Sequence, residues 1–277
     1  MYRNIFDDER MQLSWITMPD GMPHFTLKKI VRDPHIFARI KTGDDLVRLC
    51  MLLDTITKNG ATQPIVEILY MSAQRMDRMT EYVSPWTEKV FLDILAEYLN
   101  VSDVWIHCPH SESFFDLLVN KKFAEKNTVL PIHGHEFFFN SISEYKKLCG
   151  NTHPTIVIPD KGAVDRFNFL RSSAYNTVLC EKVRDLSTGK LTGFTIVEGK
   201  PTDNCLILDD LCDGGGTFAG TAKLLKENGV KHVGLSVYHG IFSKLLPIPN
   251  VDWVATTNSF RDERMNGINF FFDILKD

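Results

Sequence analysis

The stretch LILDDLCDGGGTFAGTAKLLKENG, from Leu206 to Gly229, joins an aliphatic run, two aspartates, a glycine turn and a helical pattern. This order predicts a strand, a loop and a helix. Backbone N–H groups at a helix start bind anions, and glycines let the chain wrap closely around phosphate oxygens. The carboxylates of Asp209 and Asp210 would repel a phosphate, but they can accept hydrogen bonds from hydroxyls. The stretch therefore predicts a site for a sugar phosphate, whereas the simpler alternative is an acidic turn that only caps a helix.

The composition is that of an ordinary globular protein. The 277 residues are enough for one large or two medium domains, and the net charge of -4 gives no reason to expect a nucleic-acid partner. The six cysteines are far apart and include no CxxC pair, which indicates buried thiols in a reducing compartment. The chain shows neither a signal peptide nor a run of roughly 20 apolar residues, so we predict a cytoplasmic protein that does not contact membranes.

Apolar runs alternate with helical patterns, which predicts an α/β architecture with mostly parallel strands. Helices are predicted over residues 44–57, with Asp44 as a cap, and over residues 87–99. The order of strands and helices begins again near His153, so we predict two domains of similar design, residues 1–135 and 136–277. The predicted strands have the sequences PIVEILYM, VSDVWIHC, TIVIPD, NTVLCEKVRD, NCLILDD and KHVGLSVY.

The glycine turn resembles a known motif. It is similar to the phosphoribosyl-diphosphate binding loop of type I phosphoribosyltransferases and of ribose-phosphate diphosphokinases (PRPP synthetases). That loop usually reads Asp-Thr-(Ala/Cys)-Gly-Thr, so one threonine hydroxyl is absent here and the loop has more room. The resemblance implies two Rossmann-like, phosphoribosyltransferase-like parallel-sheet domains related by pseudo-twofold symmetry. It also implies that ribose phosphate is bound by seven residues, namely Asp209, Asp210, Asp213, Gly214, Gly215, Gly216 and Thr217.

Two further segments resemble the ATP site of PRPP synthetases rather than anything in the transferases. YMSAQRMDR is similar to the YxxxxRQDR segment, with Arg75, Asp77 and Arg78 in the matching positions. Arginine forks suit triphosphate oxygens, although an exposed ion-pair cluster is the simpler alternative. The segment from Met18 to Met22 is similar to FPDGE, which holds adenine across a subunit interface, and Asp20 matches its acid. The resemblance thus implies an N-terminal ATP-binding domain.

Two residues match metal ligands of the family. His110 follows Cys108-Pro109 where the family has Asp-x-His, and the resemblance implies that it binds the Mg²⁺ of Mg-ATP; His107 is a weaker candidate. Asp160 lies in PDKGAV, which is similar to the PDxGG segment whose aspartate contacts ribose and metal. A single histidine is more often structural than a ligand. The implied cofactor is Mg²⁺, with ATP as co-substrate.

Lys182 and Arg184 match the first and third positions of the mobile Lys-Arg-Arg loop of PRPP synthetases. By resemblance they are the catalytic cations that stabilise charge as AMP departs, whereas without it they would be a solvated strand end. The implied reaction transfers the diphosphoryl group of ATP to the anomeric 1-hydroxyl of ribose 5-phosphate. The family also implies a homo-oligomer, either a dimer or a hexamer.

Alternatives to this reaction stay open. Ribose 5-phosphate is the first choice of acceptor, but the loop with Gly214 and Gly215 could admit ADP-ribose, which some relatives, usually from bacteriophages, are thought to diphosphorylate for NAD salvage. A regulatory, non-catalytic relative is favoured by the departures at Met22, Met76 and Cys108. A phosphoribosyltransferase would leave the Arg75–Arg78 segment and His110 without a role.

Overall fold

The computed structural model describes residues 3–7, 9–79, 83–98, 101–112, 128–171, 175–184, 191–244 and 246–275. The chain divides into two compact units, Met1–His133 and Gly134–Asp277. The sequence analysis placed this boundary between residues 135 and 136. The assignment of ATP to the first unit and of ribose phosphate to the second stays a prediction, as does the symmetry between them.

The first unit is built on a parallel sheet. Its strands are β1 (Ile5–Asp7), β2 (Ser14–Thr17), β3 (Pro23–Thr26), β4 (His35–Ile40), β5 (Ile65–Met71), β6 (Asp103–His107) and β7 (Thr128–Ile132). The sheet has the order β1-β4-β5-β6-β7, and β4 to β7 run parallel while β1 is antiparallel to β4. Strands β2 and β3 form a separate antiparallel hairpin. The strand predictions that became β5 and β6 are confirmed.

Helices α1 (Gly43–Lys58) and α2 (Thr87–Tyr98) bury their apolar faces in the same core as alternate residues of β4, β5 and β6. The predicted cap at Asp44 is wrong, because α1 is capped by Thr42. The Thr42 hydroxyl accepts a bond from the Asp45 amide (3.3 Å), and an Asp45 oxygen accepts one from the Thr42 amide (2.8 Å), which is a capping box. Leu99, the predicted last residue of the second helix, lies outside the described residues.

The second unit contains a seven-stranded sheet with helices on both faces. Its elements are α3 (His135–Leu148), β8 (Thr155–Ile158), α4 (Asn168–Arg171), β9 (Thr177–Arg184), β10 (Leu191–Glu198), β11 (Asn204–Cys212), α5 (Gly216–Glu227), β12 (His232–Gly240), β13 (Trp253–Thr257) and β14 (Phe270–Phe272). The strand order is β10-β9-β8-β11-β12-β13-β14, and each pair except β9–β10 is parallel. The predicted α/β class is therefore confirmed.

Consecutive residues of β12 show how the sheet is covered on both faces. Val237 packs in the core that α5 closes, whereas Tyr238 points to α3, where its ring lies 5.6 Å from that of Phe137. Strands buried on both faces read as continuous apolar runs, which is why the sequence of β12 could be recognised.

The topology of this sheet fixes where a ligand can bind. From β8 the chain crosses to β9 on one side, and it returns through β10 to β11 on the other side of β8. The crevice between the carboxyl ends of β8 and β11 is thus a topological switch point, the usual ligand site of an open parallel sheet.

Candidate functional site

The acidic pair lies at the carboxyl end of β11, beside this switch point. Asp209 and Asp210 are part of the strand, and their side chains are only 14% and 3% exposed. Asp160 follows directly after β8, the neighbouring strand. The structure therefore brings three predicted ligand residues to one sheet edge.

A loop of three residues, Asp213 to Gly215, joins β11 to α5. Gly215 is the N-cap of the helix, and no side chain caps the first turn. Amides at such an uncapped start favour an anion, which agrees with the predicted phosphate loop. Thr217 is half-buried in the first turn and Asp213 is exposed.

The structure requires glycine at only one of two positions in this loop, Gly214 and Gly215. Gly215 adopts a left-handed backbone (φ 75°), and a Cβ there would lie 3.2 Å from the Ile248 side chain. The turn thus requires glycine at position 215, so Gly215 is not evidence for a larger acceptor. At Gly214 a Cβ would only make ordinary contacts, the nearest at 3.6 Å with the Lys244 methylenes. The sequence interpretation of a widened loop therefore holds only for Gly214.

Arg166 contacts both members of the acidic pair. One of its terminal nitrogens, Nη1, donates to Oδ1 of Asp209 (3.2 Å) and to Oδ1 of Asp210 (3.0 Å). The sequence analysis missed this residue. Two adjacent buried carboxylates call for a cation, but nothing in the spacing tells which of the 31 lysines and arginines supplies it.

The acidic pair has an unusual electrostatic environment. Burial raises the pKa of Asp209 well above its ordinary value, and the negative charges of Asp210 and Asp160 add to this, while the Arg166 guanidinium opposes it. A buried carboxyl with a raised pKa is typical of functional sites.

The predicted metal ligand Asp160 is paired with the predicted catalytic Lys182. The Lys182 Nζ donates to Oδ2 of Asp160 at 2.8 Å, and the neighbouring Lys161 pairs with Glu181 at 2.7 Å. Lys182 lies inside β9 and Arg184 ends that strand, which confirms the predicted strand NTVLCEKVRD as far as Arg184. Strand β9 pairs with β10 through this segment, with Lys182 opposite Phe194, and the match of both residues to the mobile loop stays a prediction.

In the first unit, the segments 70–78 and 108–110, which resemble the ATP site of PRPP synthetases, lie at the carboxyl ends of β5 and β6. The backbone amide of His110 donates to the Gln74 side chain (3.2 Å), which links the Arg75 segment to the His110 segment. Ala73 and Cys108 adopt positive φ angles of 68° and 40°, which non-glycine residues rarely do. Such backbone is common where side chains are held for binding.

The two arginines of this segment are open to solvent. Arg75 is exposed, and Arg78 is 81% exposed with its Nε 3.8 Å from Asp77. An exposed pair at this distance adds little stability, so Arg78 stays available for a ligand.

Asp20 lies in the turn of the β2–β3 hairpin. Its Oδ1 accepts a bond from the Met22 amide (3.1 Å), and Gly21 has a positive φ of 89°. The carboxylate therefore shapes the turn, whatever else it binds.

Within the part of the chain that the structure describes, no three His, Cys, Asp or Glu residues are grouped as a metal cage. Mg²⁺ keeps several waters and is usually held by one or two carboxylates and substrate phosphates. Asp160, with 30% of its side chain exposed, offers one such oxygen ligand.

Across the same described residues, no helix has the length and apolar character needed to cross a membrane. All six cysteines are free thiols.

The chain resembles known proteins in sequence over most of its length. No protein-family model matches the chain. The ribose-phosphate pyrophosphokinase of Mycoplasmopsis pulmonis is 28% identical over 272 residues, 93% of this chain and 80% of the relative. Ribose-phosphate pyrophosphokinase 3 of Saccharomyces cerevisiae is 28% identical over 234 residues, 81% of this chain and 68% of the relative.

The fold is shared with a solved structure. The crystal structure of phosphoribosylpyrophosphate synthetase from Mycobacterium smegmatis matches with a TM-score of 0.76 at 18% identity, over 95% of this chain and 86% of that one. The chain is therefore similar in sequence to ribose-phosphate pyrophosphokinases over most of its length, and its fold is similar to that of a phosphoribosylpyrophosphate synthetase.

Proposed function

We propose that this chain transfers the diphosphoryl group of Mg-ATP to the anomeric 1-hydroxyl of ribose 5-phosphate and releases AMP. The observation that carries the proposal is the meeting of Asp160, Asp209 and Asp210 with an uncapped helix start at one sheet edge. Relatives that align with most of the chain at 28% identity are named ribose-phosphate pyrophosphokinases.

The reaction makes one bond and breaks one. The oxygen of the sugar 1-hydroxyl bonds to the β-phosphorus of ATP, and the bond from that phosphorus to the oxygen bridging to the α-phosphate breaks. AMP leaves with the electron pair, and the hydroxyl proton is lost to solvent. Such a transfer needs positioning and charge neutralisation more than covalent help.

The acceptor would be held by the second unit. Asp209 and Asp210 would accept hydrogen bonds from the ribose hydroxyls, because both lie in β11 where the strand reaches the crevice. The first amides of α5, with the Thr217 hydroxyl, would bind the 5-phosphate. Asp213 is exposed and would lie at the rim of this loop.

The nucleotide would be held by the first unit. The exposed guanidinium groups of Arg75 and Arg78 suit triphosphate oxygens, because each fork can donate two parallel hydrogen bonds. His110, tied to Gln74 through its amide, would face the Mg²⁺ of Mg-ATP. Asp77 would orient Arg78, and Asp20 would hold the hairpin turn near adenine.

Mg²⁺, when bound, would supply charge neutralisation on the phosphates. Asp160 in the second unit and His110 in the first unit would each serve as a protein ligand for Mg²⁺. The remaining cations, Lys182 and Arg184, would stabilise the charge on the transferring group. We extend the proposal to a homo-oligomer, a dimer or a hexamer, for which the exposed Ile16, Met18 and Met22 of the hairpin offer apolar contact surface.

The test is to incubate the protein with Mg-ATP and ribose 5-phosphate and to follow AMP. We expect AMP to form only when both the acceptor and Mg²⁺ are present. Folded protein that forms no AMP with any ribose phosphate would contradict the proposal and favour a non-catalytic relative. Release of diphosphate from PRPP in the presence of a nucleobase would favour a phosphoribosyltransferase.

ADP-ribose is a second candidate acceptor because of Lys244. Its methylenes lie against Gly214, the open position of the phosphate loop, and its side chain is exposed. An ammonium group there would favour an acceptor with two phosphates over one with a single phosphate. In parallel assays, AMP formed with ADP-ribose but not with ribose 5-phosphate would make ADP-ribose the acceptor. Lys244→Gln should then weaken the binding of ADP-ribose more than the binding of ribose 5-phosphate.

A further inference from the structure

Arg166 joins the two carboxylates of the acidic pair through one nitrogen. A terminal guanidinium nitrogen carries two N–H groups, so Nη1 can donate to Asp209 at 3.2 Å and to Asp210 at 3.0 Å at the same time. This geometry fixes one oxygen, Oδ1, on each carboxylate. It also places one positive charge between the two acids.

The backbone holds Arg166 firmly in this position. It is the middle residue of a short 3₁₀ turn, Asp165–Phe167, a few residues after Asp160. Phe167 is fully buried, and its ring packs edge-on against Phe138 of α3 at 5.0 Å. The Arg166 side chain is only 15% exposed, so it is set in place by packing before any ligand arrives.

Two neighbouring carboxylates, each with one oxygen held by Arg166, can accept hydrogen bonds from two neighbouring hydroxyls. A carboxylate has about four lone-pair positions, and Arg166 occupies one on each group. Each sugar hydroxyl of a vicinal diol can donate one hydrogen bond to one of the two acids. The guanidinium charge also lowers the free-energy cost of burying the two acids side by side.

We propose that Arg166 is a positioning residue for the acceptor sugar: it orients and partly neutralises Asp209 and Asp210 so that the pair recognises a vicinal diol. This inference rests on the proposed function and adds a residue and a specificity to it. Arg166 does not touch the reacting phosphorus in this scheme. Its removal should therefore affect the acceptor far more than ATP.

The test compares wild-type protein with Arg166→Gln and Arg166→Lys, and uses Lys231→Gln as a control that removes one positive charge from an exposed pair with Asp203. AMP release is followed with ribose 5-phosphate and with 2-deoxyribose 5-phosphate, each at saturating Mg-ATP, and again with Mg-ATP varied at saturating ribose 5-phosphate. We expect Arg166→Gln to raise the KM for ribose 5-phosphate about tenfold or more, because charge-assisted hydrogen bonds to both acids are lost. The KM for ATP should change less than about twofold.

The second readout is the preference for the 2-hydroxyl. Wild-type protein should prefer ribose 5-phosphate to its 2-deoxy form, and the ratio should shrink in Arg166→Gln, since a misoriented pair gains less from the extra hydroxyl. Arg166→Lys keeps a charge and should recover part of both effects. If Arg166→Gln fails to fold, the same KM values and the same preference for the 2-hydroxyl are measured on Arg166→Lys.

Three results would overturn the inference: unchanged acceptor KM in the glutamine variant, an equal rise of both KM values, or an unaltered preference for the 2-hydroxyl. Each of these requires active wild-type protein. If wild-type protein itself released no AMP with any sugar phosphate, the proposed function would fall, and this inference with it.

Discussion

At the scale of single residues, the ion pair between Lys182 and Asp160 is the most informative contact. A proposed catalytic cation and a proposed metal ligand neutralise each other at 2.8 Å. A metal ion on Asp160 would compete for that carboxylate and leave the ammonium group for phosphate oxygens. The pair thus explains how two charged groups can stay in a half-buried crevice before substrates bind.

We expect Lys182→Ala to lower kcat about 10²–10³-fold, because one preorganised cation at developing charge contributes that much. Stability should fall by less than about 1 kcal/mol, since a half-exposed ion pair contributes little. Steady-state AMP release and urea unfolding would check both values.

Lys226→Ala is the matched control for this variant. Lys226 is also 28% exposed and pairs with Asp252 at 2.7 Å, but it lies at the end of α5 remote from the phosphate loop. Near-wild-type turnover of Lys182→Ala, or an equal loss in both variants, would contradict the catalytic role.

The sequence predicted the acids of the site better than the cations. Asp209 and Asp210 stand out because acids interrupt a buried aliphatic run, which demands a reason. Arg166 carries no such mark, since its role depends on how a 3₁₀ turn brings it back to β11. The strand that carries Lys182 was predicted, but the pairing of β9 with β10 depends on contacts that no local pattern reveals.

At the scale of elements, the loop before α5 offers a direct test of its glycines. We expect Gly215→Ala to destabilise the second unit by about 1–2 kcal/mol, because it combines a left-handed backbone with a Cβ only 3.2 Å from Ile248. Gly214→Ala should be nearly neutral, since its nearest contact would be 3.6 Å from Lys244. Thermal unfolding of both variants measures the difference, and equal stability would show that the turn is built differently.

In the first unit, one buried carboxylate links three strands. Glu67 of β5 lies 2.8 Å from Nε2 of His35 in β4 and 2.6 Å from Nε2 of His107 in β6. Burial alone would raise the pKa of Glu67, but the hydrogen bonds from His107 and His35 outweigh it and lower the pKa from 4.5 to about 2. His107 thus has a structural partner in Glu67.

The lowered pKa makes stability depend on pH. Because folded Glu67 binds its proton less readily than unfolded Glu67, its contribution is present above pH 4.5 and is lost as pH falls toward about 2. Glu67→Gln should therefore be less stable than wild type by about 1–3 kcal/mol at neutral pH. The difference should shrink as pH approaches 2. Urea unfolding over this range checks it, and a difference that stays constant with pH would contradict the ion-pair assignment.

At the scale of the whole molecule, long apolar runs made the sheets predictable. Strands β5, β6, β8, β9, β11 and β12 were recognised from such runs. The hairpin β2–β3 and the edge strand β10 were not, because half-exposed strands alternate weakly and gain their stability from pairing. The cap of α1 was misplaced by two residues, since two acids and a threonine all suit a helix start.

Each unit has its own buried core, yet the proposed chemistry needs groups from both. ATP would be held by residues of the first unit and the sugar by residues of the second. Because the proposed reaction needs residues of both units, the products formed from the three ATP phosphates test the proposal for the whole molecule.

The most direct measurement is ³¹P NMR of the products formed from Mg-ATP and the sugar phosphate. We predict AMP and a new sugar diphosphate, seen as two coupled resonances with the phosphate or diphosphate of the acceptor unchanged. ADP with orthophosphate, or unreacted ATP in the presence of folded protein and every acceptor tried, would contradict diphosphoryl transfer.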